Sequence, residues 1–149
     1  MNTAEHPYID VARSAIRHYL DTGEIDDPTP MQSDPPPRGV FVSLHEPAAP
    51  GQVEGPLRGC IGTIQAREPS VRREIARSAV AAAVSDPRFP PLQPGEVDAL
   101  DVTVYLLDPA EPIDTTDELD PARYGVIVEG PGGRSGLLLP AIPGITTSE

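Results

Sequence analysis

Lysine is missing from this chain: all 11 of its basic residues are arginine. Schiff-base chemistry, a pyridoxal-phosphate linkage and a P-loop lysine are therefore excluded. Cysteine is scarce as well. A single Cys in 149 residues rules out an internal disulfide and a Cys-rich zinc site. Tryptophan is absent and aromatic residues make up 4%, so a core must be built from Val, Ile, Leu and Ala. Positive charge is in deficit: 23 acidic against 11 basic residues give a formal net charge of -12. A surface this acidic repels phosphate backbones and anionic headgroups, so neither nucleic acid nor a membrane is an expected partner. No apolar run is long enough to span a bilayer and no signal-peptide pattern opens the chain, which makes the cytoplasm the expected location. One Cys and three His without close ligand spacing give no metal site, and no cofactor is expected.

Proline and glycine are plentiful, at 20 and 13 residues, and they punctuate apolar runs rather than forming a repeat. The spacing of Ile9, Ala12, Ile16 and Leu20 predicts an amphipathic helix over 7–20, with Thr3 as N-cap, Pro7 in the first turn and Gly23 at the exit. A polar, proline-rich loop follows over 24–37. Alternation predicts strands over 39–46 and 57–65, pairing as a long-looped hairpin. With Val40, Val42, Leu44, Leu57, Gly59 and Ile61 turned to the core, the other face carries Ser43, His45, Arg58 and Cys60. The strongest helix is expected over 68–85, with Pro69 in its first turn and a stripe of Val71, Ile75, Ala79, Ala82 and Ala83 narrow enough to lie close on a sheet. A loop over 86–92, a strand over 100–107 and a hairpin of 124–129 with 135–139 around Gly130–Gly133 complete the pattern. A turn explains that glycine-rich stretch better than a phosphate cradle does. Residues 146–149 read as a helix start.

Cys60 is the leading candidate for chemistry. On a regular strand Arg58 shares its face, and a guanidinium nearby lowers a thiol pKa. Gly59 and Gly62 remove side chains beside it, so that a ligand or another backbone can approach, and the amides of this stretch are candidate oxyanion donors. The bland alternative is a free Cys buried as a small hydrophobe. Arg58 is either a carboxylate or phosphate binder or one half of a surface ion pair. For His45 the favoured reading is an exposed strand-end histidine, the alternative being a base to Cys60 or a ligand-orienting donor. Ser43 falls opposite Cys60, Arg88 reaches toward the same cleft, and Phe89 is expected to anchor its loop in the core. Asp86 reads as a helix-end hydrogen-bonding residue rather than an acid.

The runs Gly39-Val40-Phe41-Val42-Ser43-Leu44 and Leu57-Arg58-Gly59-Cys60-Ile61-Gly62-Thr63 resemble the signature of the AMMECR domain family. The likeness continues through Asp86-Pro87-Arg88-Phe89-Pro90-Pro91-Leu92, Leu100-Asp101-Val102-Thr103-Val104, Tyr124-Gly125-Val126-Ile127-Val128-Glu129 and Gly136-Leu137-Leu138-Leu139-Pro140. It implies an α+β fold: a mixed, mainly antiparallel sheet flanked by helices, with a smaller subdomain and the signature strand near a cleft. It implies one domain over 1–149 without the helix and strand that usually follow the position of Pro143-Gly144-Ile145. It also implies a setting beside Memo-like and radical S-adenosylmethionine proteins, as in the AmmeMemoRadiSam system. The resemblance leaves the reaction open. Two readings follow: a small cleft enzyme or enzyme component using Cys60 and Arg58 on a small anionic ligand, held by Gly59, Gly62, Ser43, His45 and Arg88, or a non-catalytic binding or adaptor module.

Overall fold

The computed structural model describes residues 6–141. Thr3, the Pro143-Gly144-Ile145 stretch and the helix start expected over 146–149 lie outside the described residues. Helix α1 spans Pro7–Thr22. Its N-cap is His6, whose Nδ1 accepts from the Tyr8 amide at 3.3 Å, so the capping acceptor stands immediately before Pro7. Gly23 closes the helix in the left-handed conformation at φ 77°, its amide bonded to Tyr19 O at 2.8 Å. The segment 24–37 then runs without helix or strand, as expected.

Strands β1 (Val40–His45), β2 (Leu57–Gly62) and β3 (Asp101–Leu106) form one sheet in the order β2-β1-β3, with both pairings antiparallel. Helix α2 (Val71–Val84) packs on β1 and β2, and α1 packs on α2 and β3. Pro69 precedes the Ser70 N-cap instead of sitting in the first turn. The Ser70 hydroxyl, which accepts from Arg73 N, sets the start of α2 later than the proline suggests. The expected apolar stripe of α2 is buried in full. Opposite it, Val40, Val42 and Leu44 are 0% exposed. At about 1.5–3 kcal/mol for each fully buried aliphatic side chain, this face of β1 is a main source of stability.

Gly59 explains how closely α2 approaches. A Cβ on that residue would sit 2.2 Å from the Ala82 carbonyl oxygen, so only glycine lets helix and strand touch there. A Cβ at Gly62 would meet Val40 O at 2.2 Å and the Phe41 ring at 2.5 Å. Both glycines admit neighbouring protein atoms. Of the two approaches expected of them, by a ligand or by another backbone, the backbone approach is the one these contacts show.

A buried carboxylate fixes the turn between β2 and α2. Glu74, 2% exposed, accepts from the Thr63 hydroxyl and from the amides of Arg67 and Glu68, each at 2.7 Å. Beyond α2, the loop is anchored by Leu92, 2% exposed, whose amide donates to Ala83 O at 2.9 Å. Phe89, expected in that role, is only partly buried and lies under the Arg88 guanidinium, 5.5 Å from the ring centroid. The chain divides into two compact units, up to Pro109 and from Ala110 onward. In the second, β4 (Val126–Gly130) and β5 (Arg134–Leu138) form an antiparallel hairpin. Its turn uses Gly132 and Gly133 at φ 77° and 73°, which accounts for the glycine-rich stretch.

Candidate functional site

The sheet face turned away from the helices is polar and partly buried. Ser43 stands directly opposite Cys60 in the β1–β2 register, and Phe41 opposite Tyr105 in the β1–β3 register. Ser43 and His45 are 4% and 8% exposed. The Ser43 Oγ lies 3.3 Å from His45 Nδ1, and His45 Nε2 lies 3.4 Å from the Glu54 carboxylate. Across the β1–β2 pair the Ser43 hydroxyl acts on the Cys60 thiol to lower its pKa. A continuous row thus runs from Glu54 through His45 and Ser43 to Cys60. His45 is no exposed strand-end residue. Tyr105 borders the row: burial first, then the charges of Glu54 and Cys60, raise its phenol pKa above the ordinary tyrosine value.

Burial also dominates at the thiol. It pushes the Cys60 pKa up, against smaller lowering effects from the Ser43 hydrogen bond and the Arg88 charge, with Asp86 acting to raise it further. Cys60 is therefore a protonated thiol at neutral pH, partly buried and without a disulfide partner.

The cation near it is Arg88, and the expected pairing of Cys60 with Arg58 is corrected. Between Leu44 and His45 the register slips, so that Leu57 rather than Arg58 pairs with His45. This bulge breaks the two-residue alternation that would have put Arg58 beside the thiol. The Arg58 guanidinium instead donates to Pro90 O at 2.9 Å and pairs with Glu96 at 3.4 Å, its side chain 12% exposed. It ties the loop after α2 onto β2.

Asp86 performs a second tie. Its Oδ2 accepts from the Cys60 amide at 2.9 Å, and its two oxygens take Arg88 Nε at 3.0 Å and Nη2 at 2.8 Å in a forked pair. The Arg88 fork, with help from the Cys60 and Arg88 amides, holds the buried Asp86 carboxyl well below the usual carboxylate range despite burial. Since the Cys60 amide is bonded to Asp86, it is not a free oxyanion donor. Arg88 reaches Cys60 O at 3.4 Å, its side chain remains 56% exposed, and its Nη1 has no protein acceptor among the described residues.

Of the residues singled out in the sequence, the structure brings Ser43, His45, Cys60 and Arg88 near one another and carries Arg58 away, and it buries His45 against the favoured reading of an exposed residue. Sequence reading missed Glu54 and Tyr105. The β3 alternation put Tyr105 on the polar side of its strand, and that was the available signal. Glu54 sits in a Pro/Gly loop with none. Among the described residues, no group of three or more His, Cys, Asp or Glu is arranged to hold a metal ion, and no helix is long and apolar enough to cross a membrane.

Comparison with known proteins gives a consistent result. A family profile described as AMMECR1 matches residues 9–148. A protein of Thermotoga maritima is 44% identical over 148 residues, covering 97% of this chain and 81% of its own length. One of Clostridium acetobutylicum is 42% identical over 147 residues, covering 96% of this chain but 30% of that protein. The crystal structure of the uncharacterized protein PH0010 from Pyrococcus horikoshii superposes with a TM-score of 0.77 at 37% identity, covering 91% of this chain and 68% of that one. The chain spans about two thirds of the length of its archaeal relatives, 66% for a protein of Thermococcus gammatolerans.

Proposed function

The chain belongs to the AMMECR1 family, and from that premise we propose that it is a thiol-dependent enzyme or enzyme component. In this reading the row Glu54–His45–Ser43–Cys60 activates the sulfur. The supporting observation is the succession of these side chains: the Ser43–His45 hydrogen bond at its centre, the Glu54 carboxylate 3.4 Å from His45 Nε2, and Cys60 directly opposite Ser43. Its logic is a relay. With the His45 Nε2 proton turned to Glu54, Nδ1 accepts from the Ser43 hydroxyl, whose oxygen accepts from the Cys60 thiol. As the sulfur attacks an electrophilic carbon, the bond from that carbon to its leaving group breaks and the electron pair departs with that group, while the thiol proton passes to Ser43 Oγ and the Ser43 proton passes to His45 Nδ1. The Ser43 hydroxyl then donates to the sulfur, and the imidazolium faces Glu54. The Cys60–Ser43 and Ser43–His45 contacts survive with their direction reversed while the His45–Glu54 contact keeps its own, so the buried, protonated thiol needs no resting cation beside it. Acyl or alkyl transfer fits this arrangement. Arg88 Nη1 is the donor available to an anionic group on the substrate. Arg58, Gly59 and Gly62 serve the scaffold in this reading.

The test is the rate of Cys60 alkylation by limiting iodoacetamide in the chain and in Ser43→Ala, His45→Gln and Glu54→Gln. Loss of about tenfold or more in the first two at pH 7, with a smaller loss in Glu54→Gln, supports the relay. Equal rates in all four proteins defeat it.

A second reading is a non-catalytic docking module whose partners are Memo-like and radical S-adenosylmethionine proteins. It is favoured by the use of Arg58, Asp86 and Arg88 to hold the 86–96 segment on β2. Cys60→Ser separates the two, since docking tolerates that change and thiol chemistry does not.

A further inference from the structure

A cavity of about 310 Å³ opens between α1 and the segment after it, walled by Val11 and Pro28 and carrying Asp10, Ser14, Asp26 and Arg72 as its polar groups. It is built on the helix layer, whereas the thiol row lies on the sheet face opposite that layer, and it is independent of the reading above.

Arg72 is the unusual element. The residue is 8% exposed, yet only one of the five N–H donors of a guanidinium has a protein acceptor among the described residues: Nε donates to Asp34 Oδ2 at 2.7 Å. The guanidinium carbon lies 5.4 Å from the centroid of the Tyr8 ring, which holds the group in place without using its donors. No buried side-chain nitrogen or oxygen among the described residues lacks a partner. The Nη groups of Arg72 are therefore reachable from outside, and Arg72 lines the cavity.

Asp34 offsets the Arg72 charge. It also accepts from the Met31 amide at 2.8 Å and the Tyr8 hydroxyl at 3.2 Å, which fixes it as a carboxylate. Asp10 and Asp26 are then in excess, so a simple anion is repelled. A simple cation satisfies the two carboxylates but leaves the forked donors of Arg72 unmet. A ligand with both ends answers both demands. We propose that this cavity binds a basic α-amino acid or a close amino-carboxylate analogue, its carboxylate on the Nη edge of Arg72 and its ammonium groups toward Asp10 and Asp26. Val11 and Pro28 flank the methylene stem.

The experiment is a titration of the full chain with L-lysine, n-butylamine and acetate, followed by amide chemical shifts in α1 and the 24–34 segment. Lysine is expected to saturate those shifts, with butylamine and acetate each at least about tenfold weaker. Asp10→Asn and Asp26→Asn, both at exposed positions that leave the fold intact, should each weaken lysine by about threefold or more, and added salt should weaken it further. No saturation at about 50 mM lysine overturns the proposal. So does butylamine binding as tightly as lysine, or an affinity unchanged in both Asn variants.

Discussion

Strand β1 has two faces, and both are buried. On one, Val40, Val42 and Leu44 are sealed under the helices; on the other, Ser43 and His45 are 4% and 8% exposed. Burial alone would rank the two alike. What separates them is the company each keeps. The aliphatic face meets Ile75, Ala79, Ala82 and Ala83, which offer only contact area. The polar face meets Glu54 and Cys60, which offer a carboxylate to accept a proton and a thiol to give one. Changes on the first face should therefore register as lost stability, and changes on the second as altered reactivity.

The harshest trial of that contrast is Gly59→Val. Its side chain would run into the Ala82 carbonyl, and we expect a loss of about 3 kcal/mol or more in urea unfolding, or failure to fold. Val42→Ala should cost about 2–3 kcal/mol through the cavity it leaves. Ser43→Ala, one residue along, should cost about 1 kcal/mol or less. Equal losses in Val42→Ala and Ser43→Ala would erase the distinction between the faces.

Asp86 sharpens the contrast at low pH. Its folded pKa lies below its unfolded value of about 3.9, so the stability it contributes is fully present above that pH. That stability is lost as pH falls through the folded pKa. Asp86→Asn should thus lower stability at pH 7 and flatten the acid limb of a stability profile taken from pH 7 to pH 2. The flattening is partial, because Asp34, depressed chiefly by its Arg72 hydrogen bond, acts in the same direction. A profile as steep as that of the unaltered chain would remove Asp86 from the account. The smallest effect concerns the thiol itself. Burial raises its pKa, so iodoacetamide should reach half-maximal rate at a higher pH for Cys60 than for free cysteine. A midpoint below that of free cysteine would return a resting thiolate to consideration.

Much of this was legible in the order of residues. Period-two alternation located all three strands of the main sheet, and the opposition of Ser43 to Cys60 followed from pairing the aliphatic sets. Helical spacing found α1 and α2 to within a few residues of their ends. Arg58 escaped because a bulge leaves no compositional mark. The alternation continues on paper past the point where the backbone interrupts it. Glu54 escaped because a loop acquires its neighbour only through the return of the chain. Phe89 was misplaced for a third reason: aromaticity suggested an anchor, while the smaller Leu92 made the backbone contact with α2.

The hexapeptide Leu57–Gly62 reads as one word, yet its letters answer to different listeners. Gly59 answers to a helix, Arg58 to a distant loop, and Cys60 to a row of protons. Drift acts on each audience separately. A descendant that exchanged Cys60 for serine would keep the packing glycine and the loop-holding arginine, and with them nearly the whole fingerprint. Kinship inferred from that fingerprint is thus inheritance of a scaffold, and the presence of sulfur has to be checked chain by chain.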